Sequence, residues 1–237
     1  MLDVAVIGAG LGGLSSALRM AIAGKSVAVF EAQPGPGGKA AQICLDGVYV
    51  DTGPSVLTMA DVLKELITLG GKDFSDEIQL IEPSPAFRYL YPDGTCLDIF
   101  PDLDRTCESI HQTLGSEARK EFASFLAYAQ KIWEASAPHF LYGDAPTWGS
   151  MIALAFRHFS LIRDVDPLRS MNKAIHSQLS SPHLQTLFKR YATYNGSDPR
   201  VAPATLNCIA HVELALGGYG VQGGIHTIVQ TLVRMCE

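Results

Sequence analysis

The chain has 237 residues, enough for one large domain or two small ones. Hydrophobic residues make up 47% and charged residues 18%, which excludes a disordered chain. The net charge of −6 argues against nucleic acid as a main partner, and no apolar run reaches the roughly 18 residues that a membrane span needs.

Residues 2–7 are an apolar run that predicts a buried strand. They lead into Gly8, Ala9, Gly10, Leu11, Gly12 and Gly13, then into a predicted helix over 14–23 that Gly24 ends as a left-handed cap. Residues 26–30 predict a second strand, followed by Glu31 and Ala32. Strand, Gly-x-Gly-x-x-Gly, helix, strand and acid is the order of a dinucleotide-binding βαβ unit. Gly8 permits the tight turn, Gly10 lets a pyrophosphate approach the backbone, and Gly13 lets the helix lie close on the strand. The helix start offers free N–H groups and a positive dipole end to phosphate. Glu31 stands where a carboxylate accepts hydrogen bonds from an adenosine ribose, and its charge disfavours NADP.

Residues 33–40 hold a second glycine cluster, with Gly37, Gly38 and Lys39. The two glycines supply backbone N–H groups without bulk, and the lysine supplies a cation near phosphate. An ordinary NAD site needs no such cluster. This stretch resembles the Gly-Gly-Arg/Lys segment of the flavoprotein superfamily that includes amine oxidases and carotenoid desaturases.

Residues 41–50 predict a hairpin that turns at Asp46-Gly47. Asp51, Thr52, Gly53, Pro54 and Ser55 follow, then a helix with Val62, Leu63, Leu66 and Ile67 on one face. A short strand over 78–81 and a hairpin with arms 87–91 and 95–100 open a mixed region. Helices are predicted over 103–114 and 116–137, with Pro138 ending the second. Residues 148–163, opening on Trp148 and closing on Arg163, are apolar with aromatics near both ends. That composition fits a helix in a membrane interface, and it fits a core helix or the roof of an apolar pocket as well. The change of character places a boundary near residue 75, with 1–75 the start of the cofactor domain.

Five cysteines (Cys44, Cys96, Cys107, Cys208, Cys236) are scattered without a Cys-x-x-Cys pair, which predicts free thiols in a reducing compartment. The histidines lack metal-site spacing, and His211-x-Glu213 is too little for one, so no metal is expected. The amino terminus starts directly in a strand, which predicts no targeting peptide ahead of the fold.

Several blocks together resemble the phytoene-desaturase type of carotenoid desaturases of bacteria and fungi, including the hydroxycarotenoid 3,4-desaturases. They are Gly8 to Gly13 with Glu31, Gly37-Gly38-Lys39-Ala40, and Asp51-Thr52-Gly53-Pro54-Ser55. Tyr91-Pro92-Asp93-Gly94-Thr95 and Pro101-Asp102 continue the pattern. Arg190-Tyr191-Ala192-Thr193-Tyr194-Asn195-Gly196-Ser197, Ala202-Pro203-Ala204-Thr205 and the run Gly218 to Gly224 complete it.

The resemblance implies an α/β fold that becomes α+β in its second part, with a Rossmann-like βαβ start that binds FAD. It implies FAD contacts at Gly8, Ala9, Gly10, Gly12, Gly13, Glu31, Ala32, Gly38 and Lys39, and a place near the flavin ring for Asp51, Thr52, Gly53 and Pro54. Arg190, Tyr191 and Tyr194 match a block of the substrate domain without an assignable catalytic role, and a buried ion pair of Arg190 is an equal reading. Gly223-Gly224 opens a returning helix over 225–235. The resemblance implies 76–212 for a substrate-type domain and 213–237 for the return to the cofactor domain. Family members are about twice as long, which implies an incomplete cofactor sheet here and a second half that continues the chain or comes as a separate one; a short complete domain is the alternative. The implied activity is FAD-dependent desaturation of an apolar polyene, at the cytoplasmic face of the membrane as a peripheral protein. Alternatives are an amine oxidase-like oxidoreductase and a non-catalytic remnant or split partner.

Overall fold

In the computed structural model, which describes residues 1–143, 147 and 164–237, the opening residues form β1 (Val4–Ile7), α1 (Leu11–Ile22) and β2 (Val27–Phe30). The strands pair in parallel from Val4 with Val27 to Ile7 with Phe30. Helix α1 starts three residues before the expected start at 14, so Gly12 and Gly13 lie inside its first turn. Two glycines there weaken a helix, and close packing explains one of them: a Cβ on Gly13 would lie 1.9 Å from the Gly8 carbonyl oxygen. Gly24, with φ +78°, ends the helix by donating to the Ala21 carbonyl.

The chain divides into two compact units, 1–83 with 218–237, and 84–217. The first unit adds a hairpin, β3 (Gln42–Leu45) and β4 (Val48–Asp51), across Asp46 and Gly47, both at positive φ. Next come β5 (Leu57–Thr58), α2 (Ala60–Leu69), the short α3 (Phe74–Glu77) and β6 (Leu80–Ile81). Both β5 and β6 pair antiparallel with β9 (Gly218–Val221), which lies between them. The sequence gives residues 218–224 only as a glycine-rich family block, so β9 is a correction. Two ladders supply the order that a glycine-rich strand lacks by itself. Because β6 pairs with β9, the first unit extends to residue 83, beyond the division drawn at 75.

The core of this unit joins Leu14 and Leu18 of α1, Leu66 and Ile67 of α2, and Ile228, Val229 and Leu232 of the last helix (His226–Cys236). The other face of the parallel pair is bare, with Ile7 91% and Phe30 55% exposed.

The second unit opens with the hairpin β7 (Phe87–Leu90) and β8 (Cys96–Ile99). Asp102 caps α4 (Leu103–Leu114), accepting from the Arg105 N–H at 2.7 Å. Helix α5 (Ser116–Phe140) runs through Pro138, which was expected to end it at residue 137. A proline this near the carboxyl end disturbs only the last turn, and the Leu141 N–H still bonds the Ala137 carbonyl at 3.0 Å. Ser170 caps α6 (Met171–Gln178), and Ser181 with Pro182 opens α7 (Pro182–Lys189). Two 3-10 segments (Arg190–Asn195, Ala204–Asn207) and α8 (Cys208–Leu214) follow, so the final helix is α9. Phe122, Phe125, Leu184, Phe188 and Tyr191 are fully buried at the centre, with the Phe125 and Phe188 rings 4.3 Å apart. The membrane-interface reading of 148–163 falls outside the described residues.

Candidate cofactor site

The first glycine cluster leaves β1 through Gly8, whose φ of +97° is open only to glycine without strain. The Gly8 N–H donates to the Phe30 carbonyl at 2.7 Å and extends the ladder to the end of β2. That ladder brings Glu31 to the loop. Its Oε2 accepts from the Ala9 N–H at 2.7 Å and its Oε1 from the Gln33 N–H at 2.9 Å. These backbone bonds, Ala9 foremost, hold the carboxyl below the usual glutamate range and keep it charged. A cavity of about 600 Å³ opens beside it, lined by Ala9, Leu14, Val29, Glu31, Gln33 and Pro34 among others.

The second glycine cluster lies directly on the first. Gly37 bridges to Gly10 in parallel, and its N–H donates to the Ala9 carbonyl at 2.8 Å. A Cβ on Gly38 would lie 3.4 Å from the Gly10 Cα. Spacing along the sequence could not reveal this contact, because it needs the tertiary path between the clusters. Lys39 and Ala32 are exposed.

Residues 51–54 pack against the segment that follows Gly38. Thr52 donates to the Ala41 carbonyl through both its N–H and its hydroxyl, each at 2.9 Å. A Cβ on Gly53 would lie 1.8 Å from the Lys39 carbonyl oxygen. Pro54 is exposed. The Asp51 carboxylate accepts from the Ile225 N–H at 2.7 Å and faces the His226 N–H at 3.4 Å. So the first unit gathers Gly8 to Gly13, Glu31, Gly38, Lys39 and the 51–54 segment.

Arg190, Tyr191 and Tyr194 belong to the second unit. All three converge on Glu213 of α8, whose side chain is fully buried. Arg190 forms an ion pair with it, the Tyr191 hydroxyl donates at 2.9 Å, and the Tyr194 hydroxyl donates to the other oxygen. The guanidinium also lies over the rings of Tyr191, Phe87 and Tyr89, at 4.6, 5.0 and 5.8 Å. Burial first, and the Glu213 charge next, push the Tyr191 hydroxyl well above its ordinary value, so it donates and stays neutral. Sequence reasoning named the three partners and passed over Glu213, treating it only as part of a rejected metal pattern. An acid inside the mostly apolar run of α8 was the available signal.

The glycine loop, a charged carboxylate at the end of β2 and a second bare backbone turn suit a diphosphate joined to a ribose. Comparison with known proteins extends this reading. The chain is 33% identical over 236 residues to hydroxyneurosporene desaturase of Rubrivivax gelatinosus, covering 99% of this chain and 45% of that protein. It is 31% identical over 236 residues to 4,4'-diapolycopene oxygenase of a Methylomonas species, covering 98% and 46%. The chain therefore spans about half the length of these curated relatives. Among solved structures, a putrescine oxidase variant superposes with a TM-score of 0.62 at 17% identity, covering 99% of this chain and 49% of that one. Residues 11–235 match the model of the flavin containing amine oxidoreductases, and the chain belongs to that family.

Proposed function

We propose that this chain is the cofactor-gripping half of a FAD-dependent oxidoreductase that desaturates a carotenoid, in a protein about twice this length. The observation that carries the proposal is the contact of the two glycine clusters beside a charged Glu31. Gly8 and Ala9, whose N–H groups are held by Phe30 and Glu31, shape the loop. Gly10, Gly12, Gly13 and Gly38 offer backbone to the diphosphate, with Lys39 as a nearby cation and Glu31 and Ala32 at the ribose. Thr52, Gly53 and Pro54 extend the same surface toward the flavin. When bound, the flavin supplies a two-electron acceptor for a C–H hydride. The protein's share is to hold the polyene, orient it and exclude water.

An amine oxidase-like reading asks for an aromatic cage beside an acid. Phe87, Tyr89 and Tyr191 do gather beside Glu213, but the chain's own Arg190 fills that place. A polar amine finds no free acid there, which favours the apolar substrate. No helix among the described residues is long and apolar enough to cross a membrane, and a substrate soluble in bilayers suits a peripheral protein at the cytoplasmic face. On its composition, we assign the segment Trp148 to Arg163 to lipid contact. Arg190, Tyr191 and Tyr194 are assigned to bracing the substrate-type region. The second half is supplied as a continuation or as a separate chain.

Two measurements test the proposal. Titration with FAD, read by flavin fluorescence, should show weak binding to residues 1–237 and retention through gel filtration once a second half is present. Supplied with a colourless polyene, the complete protein should form a coloured product. Peroxide release from amines without colour formation would replace the proposal with amine oxidation.

A further inference from the structure

We infer that Asp51 is a positioning residue that ties the start of α9 to the second glycine turn and so holds that turn against the first glycine cluster. Only its last consequence, for cofactor affinity, rests on the FAD reading above.

The opening N–H groups of a helix have no helical carbonyl ahead of them, and a short polar side chain just before the helix usually meets them. Helix α9 is preceded by Gly223, Gly224 and Ile225, none of which can do so, and no side chain at its N-cap makes such a bond. The acceptor comes from 174 residues away, where Asp51 takes the Ile225 N–H. Space is reserved for it. A Cβ on Gly224 would lie 2.6 Å from Asp51 Oδ2, and Gly224 has a φ of +90°. A carboxylate at the positive end of a helix is also favoured by charge.

His226 makes the second tie. Its Nδ1 lies 3.0 Å from the Ala40 carbonyl oxygen, and since a carbonyl only accepts, that nitrogen carries the proton. From Ala40 and Ala41 the contacts run on without a gap. Thr52 donates to Ala41, Gly53 rests on the Lys39 carbonyl, and Gly37 donates to Ala9. The start of α9 is thus linked through Asp51 and Ala40 to the backbone at Ala9 and Gly10.

Amide hydrogen exchange on residues 1–237, read by mass spectrometry, is the first arm of the test. Asp51→Ala should speed exchange at both 225–228 and 37–41 about tenfold, the effect of a lost cap worth about 1.4 kcal/mol. Exchange at 14–18 in α1 should not change. Asp51→Asn should restore the slow exchange, because asparagine caps nearly as well as aspartate. His226→Ala, which keeps the carboxylate cap, should loosen 37–41 alone and serves if Asp51→Ala does not fold. In the second arm, run on the complete protein with its second half, the FAD dissociation constant should rise about tenfold in Asp51→Ala and stay near the original in Asp51→Asn. Faster exchange confined to 225–228, or none at all, overturns the inference. Failure of the unaltered complete protein to take up FAD sinks the cofactor reading, while the exchange result still decides the role of Asp51.

Discussion

At the scale of single residues, neighbouring glycines carry different duties. Gly12 and Gly13 are adjacent in the first turn of α1. A Cβ on Gly13 would meet the Gly8 carbonyl oxygen at 1.9 Å, whereas nothing lies within 4 Å of one on Gly12. Gly13→Ala should therefore force α1 off β1 and cost about 3 kcal/mol or more, since backbone cannot yield as a flexible side chain does. Gly12→Ala should stabilise the helix by up to about 1 kcal/mol. Urea denaturation of the two variants measures both effects, and equal losses would contradict the geometry. The dinucleotide motif predicts the need for close approach at Gly13. Glu31 was equally legible, since it closes a strand in a fixed pattern. Glu213 was not, because its partners come from a different segment of the chain.

At the scale of elements, local chemistry and pairing can disagree. Asp46-Gly47 announces its hairpin, because φ preference acts within a few residues, whereas Ser181-Pro182 reads in the sequence only as a break and in the structure opens α7. Strand β9 had no such signature, since glycine favours turns, and its order comes from β5 on one side and β6 on the other. Gly220 tests this. A Cβ there would touch Ile81 at an ordinary 3.6 Å, and its φ is not positive. Gly220→Ala should raise stability by about 0.5 kcal/mol, as removing a glycine from a strand interior does. A fall in the thermal midpoint would instead mark a turn. The extension of α5 past Pro138 has the same lesson, because the proline rule describes a helix interior and loses force in the last turn.

At the scale of the whole molecule, the second unit carries an acid-sensitive element. His211 of α8 is buried, its Nδ1 has no hydrogen-bond partner among the described residues, and burial pushes its pKa below the ordinary histidine value, against a smaller opposing pull from Glu134. The folded state thus binds fewer protons here than the unfolded one. Stability from this group is present above the unfolded value of about 6.5 and is lost as pH falls toward the folded value. Carboxylates held low, such as Glu31 and Glu121, act only at lower pH. Urea midpoints should therefore fall between pH 7.5 and 5, and His211→Leu should flatten that slope; an unchanged slope would place the acid sensitivity elsewhere. The sequence by itself determined the βαβ start, the two glycine clusters, Glu31 and the likeness to flavin-dependent desaturases. The first three follow from backbone freedom, capping or periodicity over short stretches, and the likeness rests on the resemblance of whole motif blocks. Only the tertiary structure decided that the two clusters touch, that Asp51 caps a helix at the far end of the chain, and that Glu213 gathers Arg190, Tyr191 and Tyr194. Those are meetings of distant segments, and no local preference encodes which carbonyl a distant N–H will reach.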